Sequence, residues 1–310
     1  MMQKHKYILT AIVTIIMVTS FLRVYLPRAV IKGEWSQLYG NRQPDFEAPP
    51  PLARQIKSPE KTDENEPRDQ MVEVIIQGKS CNIRKPADPE EIYRYIAKTP
   101  LKCEMPVMVG GTARKAEPPI LNEKWVCMDK RYNIKPWNCL VYSFGIDVDW
   151  SFDDDMDKRF NCKVYAFDHT IGKPDHNRSK NIQFYATGIA AQKKKNVDRY
   201  INLLKRFGHE NTIIDYLKID VEGAERQFFE DVLYQTPQVL KNIKQIGMEI
   251  HTGKNKKNME LYYKYAQLLE CFGFKLIFQH ILDVPFLLFK EKGELRSCCY
   301  ELVWAQDKQW

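Results

Sequence analysis

The feature that most constrains the fold is a buried strand that ends in two carboxylates and a glycine, at residues 213–225. Apolar residues dominate positions 213–219, Asp220 and Glu222 follow them, and a helix-like run begins after Gly223. This pattern is typical of a parallel strand that is buried on both faces and leads into a crossover helix. In open α/β sheets, ligands bind outside the carboxyl ends of the strands. The stretch therefore predicts an α/β domain with Asp220 and Glu222 at its ligand-binding edge.

Alternating strands and helices surround this stretch. Six further apolar segments predict strands, at residues 139–144, 163–167, 182–185, 245–250, 274–278 and 300–304. Apolar residues at helical spacing predict five helices. One ends near residue 160, and the others cover residues 90–98, 197–207, 224–234 and 261–272. Because strands and helices alternate, we expect a doubly wound α/β fold whose regular part begins near Trp125.

The first two strand ends carry residues that suit a nucleotide-like ligand. Gly145 ends the first strand, and Asp168 ends the second strand 23 residues later. A glycine lets the backbone approach a ligand, and a carboxylate about 20 residues on can accept hydrogen bonds from ribose hydroxyls. A turn glycine and a strand-end aspartate are also common in α/β proteins of other functions, so the pair permits such a site without requiring it.

Together the strand ends resemble a known family. The motifs lie at residues 140–146, 149–153, 164–168, 217–225 and 249–251. They are similar to the methyltransferase-like protein 24 family, which is related to the FkbM-type methyltransferases that depend on S-adenosylmethionine (SAM). The similarity covers about residues 125–304 and four strand ends in the same order, so it is more specific than any single motif.

The resemblance implies a Rossmann-like class I methyltransferase fold with a mostly parallel, seven-stranded sheet and SAM as cofactor. It also implies site residues at the strand ends. The cofactor would contact Ser143, Phe144, Gly145, Asp168, Thr187, Gly188, Ile189 and Asp220. The candidates for a catalytic base are Asp220, Glu222 and His251. No residue is assigned as a metal ligand.

Other interpretations of these residues stay open. Glu222 could cap the helix that begins near Gly223, because a carboxylate suits a helix N-terminus. His251 could be structural, and Phe144 could belong to the core. Asp147 stands where many methyltransferases have a further glycine, which is a departure from the family pattern.

The N-terminus predicts a membrane anchor. Residues 7–22 contain no charged side chain and follow a short basic stretch, and no convincing cleavage site comes after them. We interpret residues 7–26 as a retained signal-anchor helix, with residues 1–6 in the cytoplasm; a cleaved signal peptide is the alternative. Residues 27–85 are Pro-rich and charged, which predicts a stem. The methyltransferase-like domain would then span residues 86–310, with a core at about 125–304.

Cysteines and an acceptor sequence favour an oxidising compartment. The chain has eight cysteines and one Asn177-Arg178-Ser179 tripeptide, both of which suit a lumenal domain of the Golgi or another part of the secretory pathway. Eight cysteines allow too many pairings to name one. The net charge is +7, but no basic helix with interleaved aromatic residues is present, so nucleic acid is not an expected partner. The expected partners are the lipid bilayer and an unidentified acceptor.

The sequence therefore predicts a membrane-anchored, SAM-dependent methyltransferase that transfers a methyl group to a hydroxyl oxygen of a glycan or another lumenal acceptor. One alternative is a lumenal glycosyltransferase that holds a metal with Asp147 and Asp149. Another is a non-catalytic binding protein on a degenerate methyltransferase fold, because the glycine-rich loop has one glycine.

Overall fold

The computed structural model of this chain describes residues 71–113, 120–284 and 287–310. The predicted anchor at residues 7–26 and most of the predicted stem lie outside these ranges. Within them, no helix combines the length and the apolar character that crossing a membrane requires.

Strands alternate with helices along the described chain. The first strands are β1 (Met71–Ile76), β2 (Lys79–Arg84), β3 (Pro106–Ala113) and β4 (Ile120–Cys127). The later strands are β5 (Leu140–Phe144), β6 (Lys163–Phe167), β7 (His176–Asn177), β8 (Ile182–Tyr185), β9 (Gly188–Ile189), β10 (Val197–Asp198), β11 (Ile214–Ile219), β12 (Ile243–His251), β13 (Phe274–Ile281), β14 (Leu288–Glu291), β15 (Glu294–Ser297) and β16 (Cys299–Gln306). The α-helices are α1 (Pro89–Ala97), α2 (Ser151–Lys158), α3 (Tyr200–Arg206), α4 (Glu225–Phe229) and α5 (Lys256–Cys271). Shorter 3₁₀ or π turns cover Lys130–Tyr132, Glu230–Gln235 and Pro237–Asn242.

The central sheet has eight strands in the order β13-β16-β12-β11-β5-β6-β8-β7. The five strands from β12 to β8 are parallel, which supports the predicted Rossmann-like α/β fold. The sheet as a whole is mixed, because β16 runs antiparallel to β12 and β13, and β7 runs antiparallel to β8. Four of the seven strand pairings are parallel, and the predicted number of seven strands is corrected to eight. An apolar run shows that a strand is buried, but it does not show in which direction the neighbouring strand runs.

Two hydrophobic layers cover the two faces of this sheet. Successive side chains of a strand point to opposite faces, so Val141 packs in one layer and Tyr142 in the other. Helix α2 contributes Phe152 to the layer that contains Val141, whereas α5 contributes Leu268 to the opposite layer. Because helices cover both faces, the carboxyl ends of the parallel strands are the part of the sheet that is left for a ligand.

The folded domain begins earlier than predicted. Strands β1 and β2 form an antiparallel hairpin whose turn residues, Gln77 and Gly78, both have positive φ (47° and 81°), as in the tight turns that suit hairpins. A disulfide joins Cys81 of β2 to Cys271 of α5. The end of the predicted stem at residues 27–85 is therefore corrected, because Val72, Val74 and Ile76 of β1 already pack on the core of the domain.

A second hairpin, β3–β4, packs on the central sheet. The side-chain amide of Gln245 in β12 bonds both the backbone N–H and the C=O of Cys127, at 2.9 and 2.7 Å. The Tyr216 hydroxyl of β11 donates to the carbonyl of Trp125 at 2.9 Å. The central part of the domain, which was predicted to begin at about residue 125, therefore also includes the β3–β4 hairpin.

Three disulfides lie within the described residues. Besides Cys81–Cys271, they join Cys103 to Cys127 and Cys139 to Cys162. The neighbouring residues Cys298 and Cys299 are free thiols. The pairing, which the sequence left open, is decided by which strands and helices the fold brings together.

Candidate active site

The site lies where the strand order reverses. From β5 the chain proceeds to β6 and β8 on one side of the sheet, whereas β11 leads to β12 on the other side. The carboxyl ends of β5 and β11 therefore border a crevice of the kind in which open α/β sheets bind ligands. Gly145 and Asp220, both predicted site residues, meet here.

Gly145 is required by this close approach. Its φ is +78°, and a Cβ at this position would lie 1.5 Å from the carbonyl oxygen of Asp220. Any larger residue would collide with the backbone that follows β11. The glycine thus serves the packing of two strand ends against each other, in addition to any contact with a cofactor.

A buried lysine from the β3–β4 hairpin holds three carboxylates together. The ammonium of Lys124 lies 2.7 Å from Glu301, 3.2 Å from Asp220 and 3.6 Å from Glu249. Burial lowers the pKa of Lys124, but the three carboxylates outweigh this effect and raise the pKa well above its ordinary value. Lys124 therefore stays charged. A single lysine in a strand carries no sequence signal for this role, so Lys124 could not be predicted as a site residue.

The charge state of Asp220 follows from these neighbours. Burial raises the pKa of Asp220, but Lys124, Lys218 and His251 together lower it below its ordinary value. Glu301 behaves differently, since its burial raises its pKa to about 8 despite the contact with Lys124. Asp220 is thus a stable anion, which makes it a weak proton acceptor.

His251, at the end of β12, is surrounded by carboxylates. Its Nδ1 lies 2.9 Å from Glu225, and its Nε2 lies 3.3 Å from Glu249 and 3.4 Å from Glu222. Burial lowers the pKa of His251, but the hydrogen bonds to Glu225 and Glu249 raise it to about 11. In this state the imidazole is a cation at neutral pH and has no free lone pair for a base. Its predicted catalytic role stays a prediction.

Glu222 differs from the other acids of the site. Its side chain is 84% exposed, and its backbone has φ = 50°, a conformation that costs a non-glycine residue about 1 kcal/mol or more. The alternative in which Glu222 caps the next helix is not what the structure shows. Instead, the buried Glu225 accepts from the backbone N–H groups of Val221 and Gly223, at 3.3 and 3.1 Å.

Asp168 holds the loop that follows β5. One of its oxygens accepts from the N–H groups of Ile146 and Asp147, at 2.8 and 2.9 Å. The other accepts from the N–H and the hydroxyl of Thr170, at 2.7 and 2.6 Å. A carboxylate offers about four acceptor positions, so a ribose would have to share them with the protein. The predicted ribose contact stays a prediction, and the structure adds a positioning role to it.

Most of the remaining residues that were predicted to contact the cofactor are buried in the core. Phe144 is fully buried and stacks on Phe167 with ring centroids 4.7 Å apart, so its side chain belongs to the core. Ile189 is also buried in the core, and Gly188 packs against the ring of His169. Thr187 is half-buried beside them. Phe144 and Ile189 could therefore contact a cofactor only through their backbones.

Ser143 in β5 and Asp153 in α2 are buried against each other. Both residues are completely buried, and the Ser143 hydroxyl interacts with the Asp153 carboxylate. Burial raises the pKa of Asp153 to about 6. The acids at the ends of β11 and β12 fit a ligand that carries positive charge, as SAM does.

The alternative metal site at Asp147 and Asp149 receives no support from the geometry. Asp149 accepts hydrogen bonds from the N–H of Ser151 at 2.8 Å and from the side chain of Asn122 at 3.0 Å. Asp149 thereby links the first residue of helix α2 to the β3–β4 hairpin. Within the described ranges, neither aspartate belongs to a cluster of three or more metal-ligating side chains.

The fold and the strand-end acids define an α/β domain with a ligand crevice at the switch point of its sheet. A family model described as a methyltransferase domain matches residues 79–303. The chain belongs to this methyltransferase-domain family. No curated protein matches the chain at a significant level. Among solved structures, M. jannaschii TYW2 in complex with AdoMet is similar at 10% identity and a TM-score of 0.29, over 76% of this chain and 87% of that chain.

The family match confirms the predicted enzyme class and, with it, SAM as the cofactor. It also decides between the two enzyme alternatives in favour of the methyltransferase. The individual site residues stay predictions, which the geometry above makes more specific.

Proposed function

We propose that this protein is a membrane-anchored, lumenal methyltransferase of the methyltransferase-like protein 24 type, which methylates a hydroxyl oxygen of a glycan or another acceptor. The observation that carries the proposal is the group of carboxylates and His251 at the ends of β11 and β12, beside the Gly145 turn. Methylation of a hydroxyl requires that a proton be removed, and this group offers a carboxylate that is open to solvent.

SAM supplies a methyl group that its sulfonium already activates, so the protein has to align the donor with the acceptor and receive a proton. Lys124 and Lys218 keep Asp220 ionised, which places a fixed negative charge at the crevice. Glu222 is exposed and contacts neither lysine in the described structure. We assign the acceptance of the hydroxyl proton to its carboxylate.

The disulfides and the acceptor asparagine support a lumenal position. Disulfides persist in oxidising compartments and are rare in the cytosol, and three of them link the described elements. Asn177 lies in the short strand β7 and is exposed, so a glycan could be attached without disturbing the core.

Replacing Glu222 by glutamine is expected to lower the rate of methyl transfer about 100-fold and to leave SAM affinity within about twofold, because the amide cannot accept the proton. The measurements are calorimetric titration with SAM and with its demethylated product, and labelled methyl transfer from SAM to lumenal glycans, proteins and small molecules. Glu294→Gln, which changes an exposed glutamate of β15, is the matched control. Absence of heat with both compounds would contradict the methyltransferase assignment, and a wild-type rate for Glu222→Gln would remove Glu222 as the base.

The chain should carry a glycan on Asn177 when it is expressed in cells with a secretory pathway. The sequence contains one acceptor tripeptide, so Asn177→Gln is expected to abolish the mobility shift that glycosidase treatment removes. Deletion of residues 7–26 should abolish the same shift. A full-length chain that shows no glycosidase-sensitive shift would argue against the lumenal orientation.

A further inference from the structure

Three side chains of the site have the arrangement of metal ligands. Asp220, Glu222 and His251 each offer one ligand atom, and these atoms lie within 4.8 Å of one another. The closest measured pair is His251 Nε2 and Glu222 Oε2, at 3.4 Å. Ligands about 2.0–2.3 Å from a common cation are about 3–4.5 Å apart, so a divalent ion fits between them after small side-chain rotations.

His251 is held in the orientation that a ligand needs. The buried Glu225 accepts from Nδ1 at 2.9 Å and is itself fixed by the hydroxyl of Tyr262 at 3.0 Å. A carboxylate on one ring nitrogen orients the imidazole and makes the other nitrogen a better ligand, as in many metalloproteins. Nε2 consequently faces Glu222 and Glu249, where a neutral imidazole would place its lone pair against negative charge.

The surrounding charges are not balanced. Four carboxylates lie within 4.0 Å of three basic side chains. The carboxylates are those of Asp220, Glu222, Glu225 and Glu249, and the basic side chains are those of Lys124, Lys218 and His251. The site therefore has four negative charges and at most three positive charges, the third being that of protonated His251.

A fifth carboxylate, Glu301, is paired with Glu249 across β12 and β16. Glu301 is 1% exposed, and its Oε1 has no hydrogen-bond partner among the described residues. Lys124, 2.7 Å from its Oε2, already compensates Glu301. The other four acids outnumber the three bases, and because buried charges are paired or coordinate metals, this surplus of negative charge favours a positively charged ligand.

We propose that Asp220, Glu222 and His251 form a binding site for one divalent first-row cation at the carboxyl ends of β11 and β12. The ligand set of two carboxylates and one imidazole suits Mn²⁺ better than Mg²⁺, which prefers oxygen ligands alone. The ion pairs of Asp220 with Lys124 and Lys218 both use Oδ2, so its other oxygen is the ligand atom. The cation replaces the proton on His251 Nε2.

A neighbouring group consists of Glu249, His251 and Cys299, whose possible ligand atoms also lie within 4.8 Å of one another. The first group is the better site, because Glu222 is 84% exposed and gives an ion access from solvent, whereas Cys299 is 4% exposed. The cation site shares Glu222 with the proposed function, but binding of a cation can be measured without SAM or an acceptor. Only its role, which is to hold an acceptor hydroxyl beside the donor methyl group and to favour loss of its proton, rests on that function.

The test is a calorimetric titration of the purified full-length chain with Mn²⁺, in the absence of SAM. We expect one Mn²⁺ per chain, tighter binding of Mn²⁺ than of Mg²⁺, and affinity that increases from pH 6 to pH 8 because a proton has to leave. Glu222→Gln, at an exposed position, is expected to weaken Mn²⁺ binding about tenfold or more, and His251→Gln is expected to weaken it further.

Two controls keep the result specific. His280→Gln changes another histidine that faces a glutamate, outside this group, and Cys299→Ser tests the neighbouring group; both should bind Mn²⁺ as the wild type does. The site is overturned if the wild-type chain binds no Mn²⁺, if Glu222→Gln binds it with unchanged affinity, or if Cys299→Ser alone loses it. A chain that binds SAM but no Mn²⁺ overturns the cation site alone, whereas binding of Mn²⁺ without SAM overturns the proposed function alone.

Discussion

Replacing Lys124 by methionine is expected to destabilise the domain by about 3–5 kcal/mol, because removal of one partner from a buried ion pair leaves the other charges uncompensated. Lys124 is completely buried and contacts Asp220, Glu249 and Glu301. Methionine fills a similar volume, so the loss will reflect charge more than packing. Urea unfolding followed by tryptophan fluorescence measures the change in the free energy of unfolding.

The matched control is Lys158→Met, which removes a lysine that is 71% exposed and pairs with Asp154 at 3.3 Å within helix α2. Exposed pairs of this kind contribute about 0.5 kcal/mol or less. Similar losses for the two variants would show that the carboxylates around Lys124 are compensated in another way.

Removing the disulfide between Cys81 and Cys271, by changing both residues to serine, is expected to cost about 5 kcal/mol. The two cysteines are 190 residues apart, so the link removes a large amount of conformational entropy from the unfolded chain. It also joins the β1–β2 hairpin to α5. The loss of stability can be measured by the same urea unfolding, with the variants compared under non-reducing conditions.

The shorter disulfide between Cys139 and Cys162 provides the comparison. These residues are 23 apart, and the same entropic argument predicts a loss of about 3 kcal/mol when both become serine. If the shorter link proves to be the more stabilising one, chain entropy is not the dominant contribution, and local packing of β5 against β6 would explain the difference.

Lys124 also shows why the N-terminal hairpins belong to the enzyme. The resemblance to the methyltransferase-like protein 24 family covers the chain from about residue 125 onward, just after this lysine. A truncation at that boundary would leave Asp220 and Glu249 without Lys124. The family model begins at residue 79 and thus includes both Lys124 and Cys81.

Strand ends were the part of the site that local sequence could reveal. Gly145, Asp168 and Asp220 each follow an apolar run, and in a parallel sheet such positions lie at one edge regardless of what surrounds them. The structure places Gly145 against Asp220 and gives Asp168 two hydrogen bonds from the loop after β5 and two from Thr170. The position of each residue could be predicted, whereas the number of its hydrogen bonds could not.

The sequence by itself determined the alternation of strands and helices, because this depends on the order of apolar residues. It also indicated the enzyme class, through the resemblance of short motifs at four strand ends to a known family. Only the tertiary structure decided the mixed direction of the sheet, the disulfide pairs, and the contact of Lys124 with Glu301, which is 177 residues away. The charge of Asp220 and of His251 depends on such distant partners. The physical reason is that burial and electrostatic pairing are properties of neighbours in space, which a linear pattern of residues does not record.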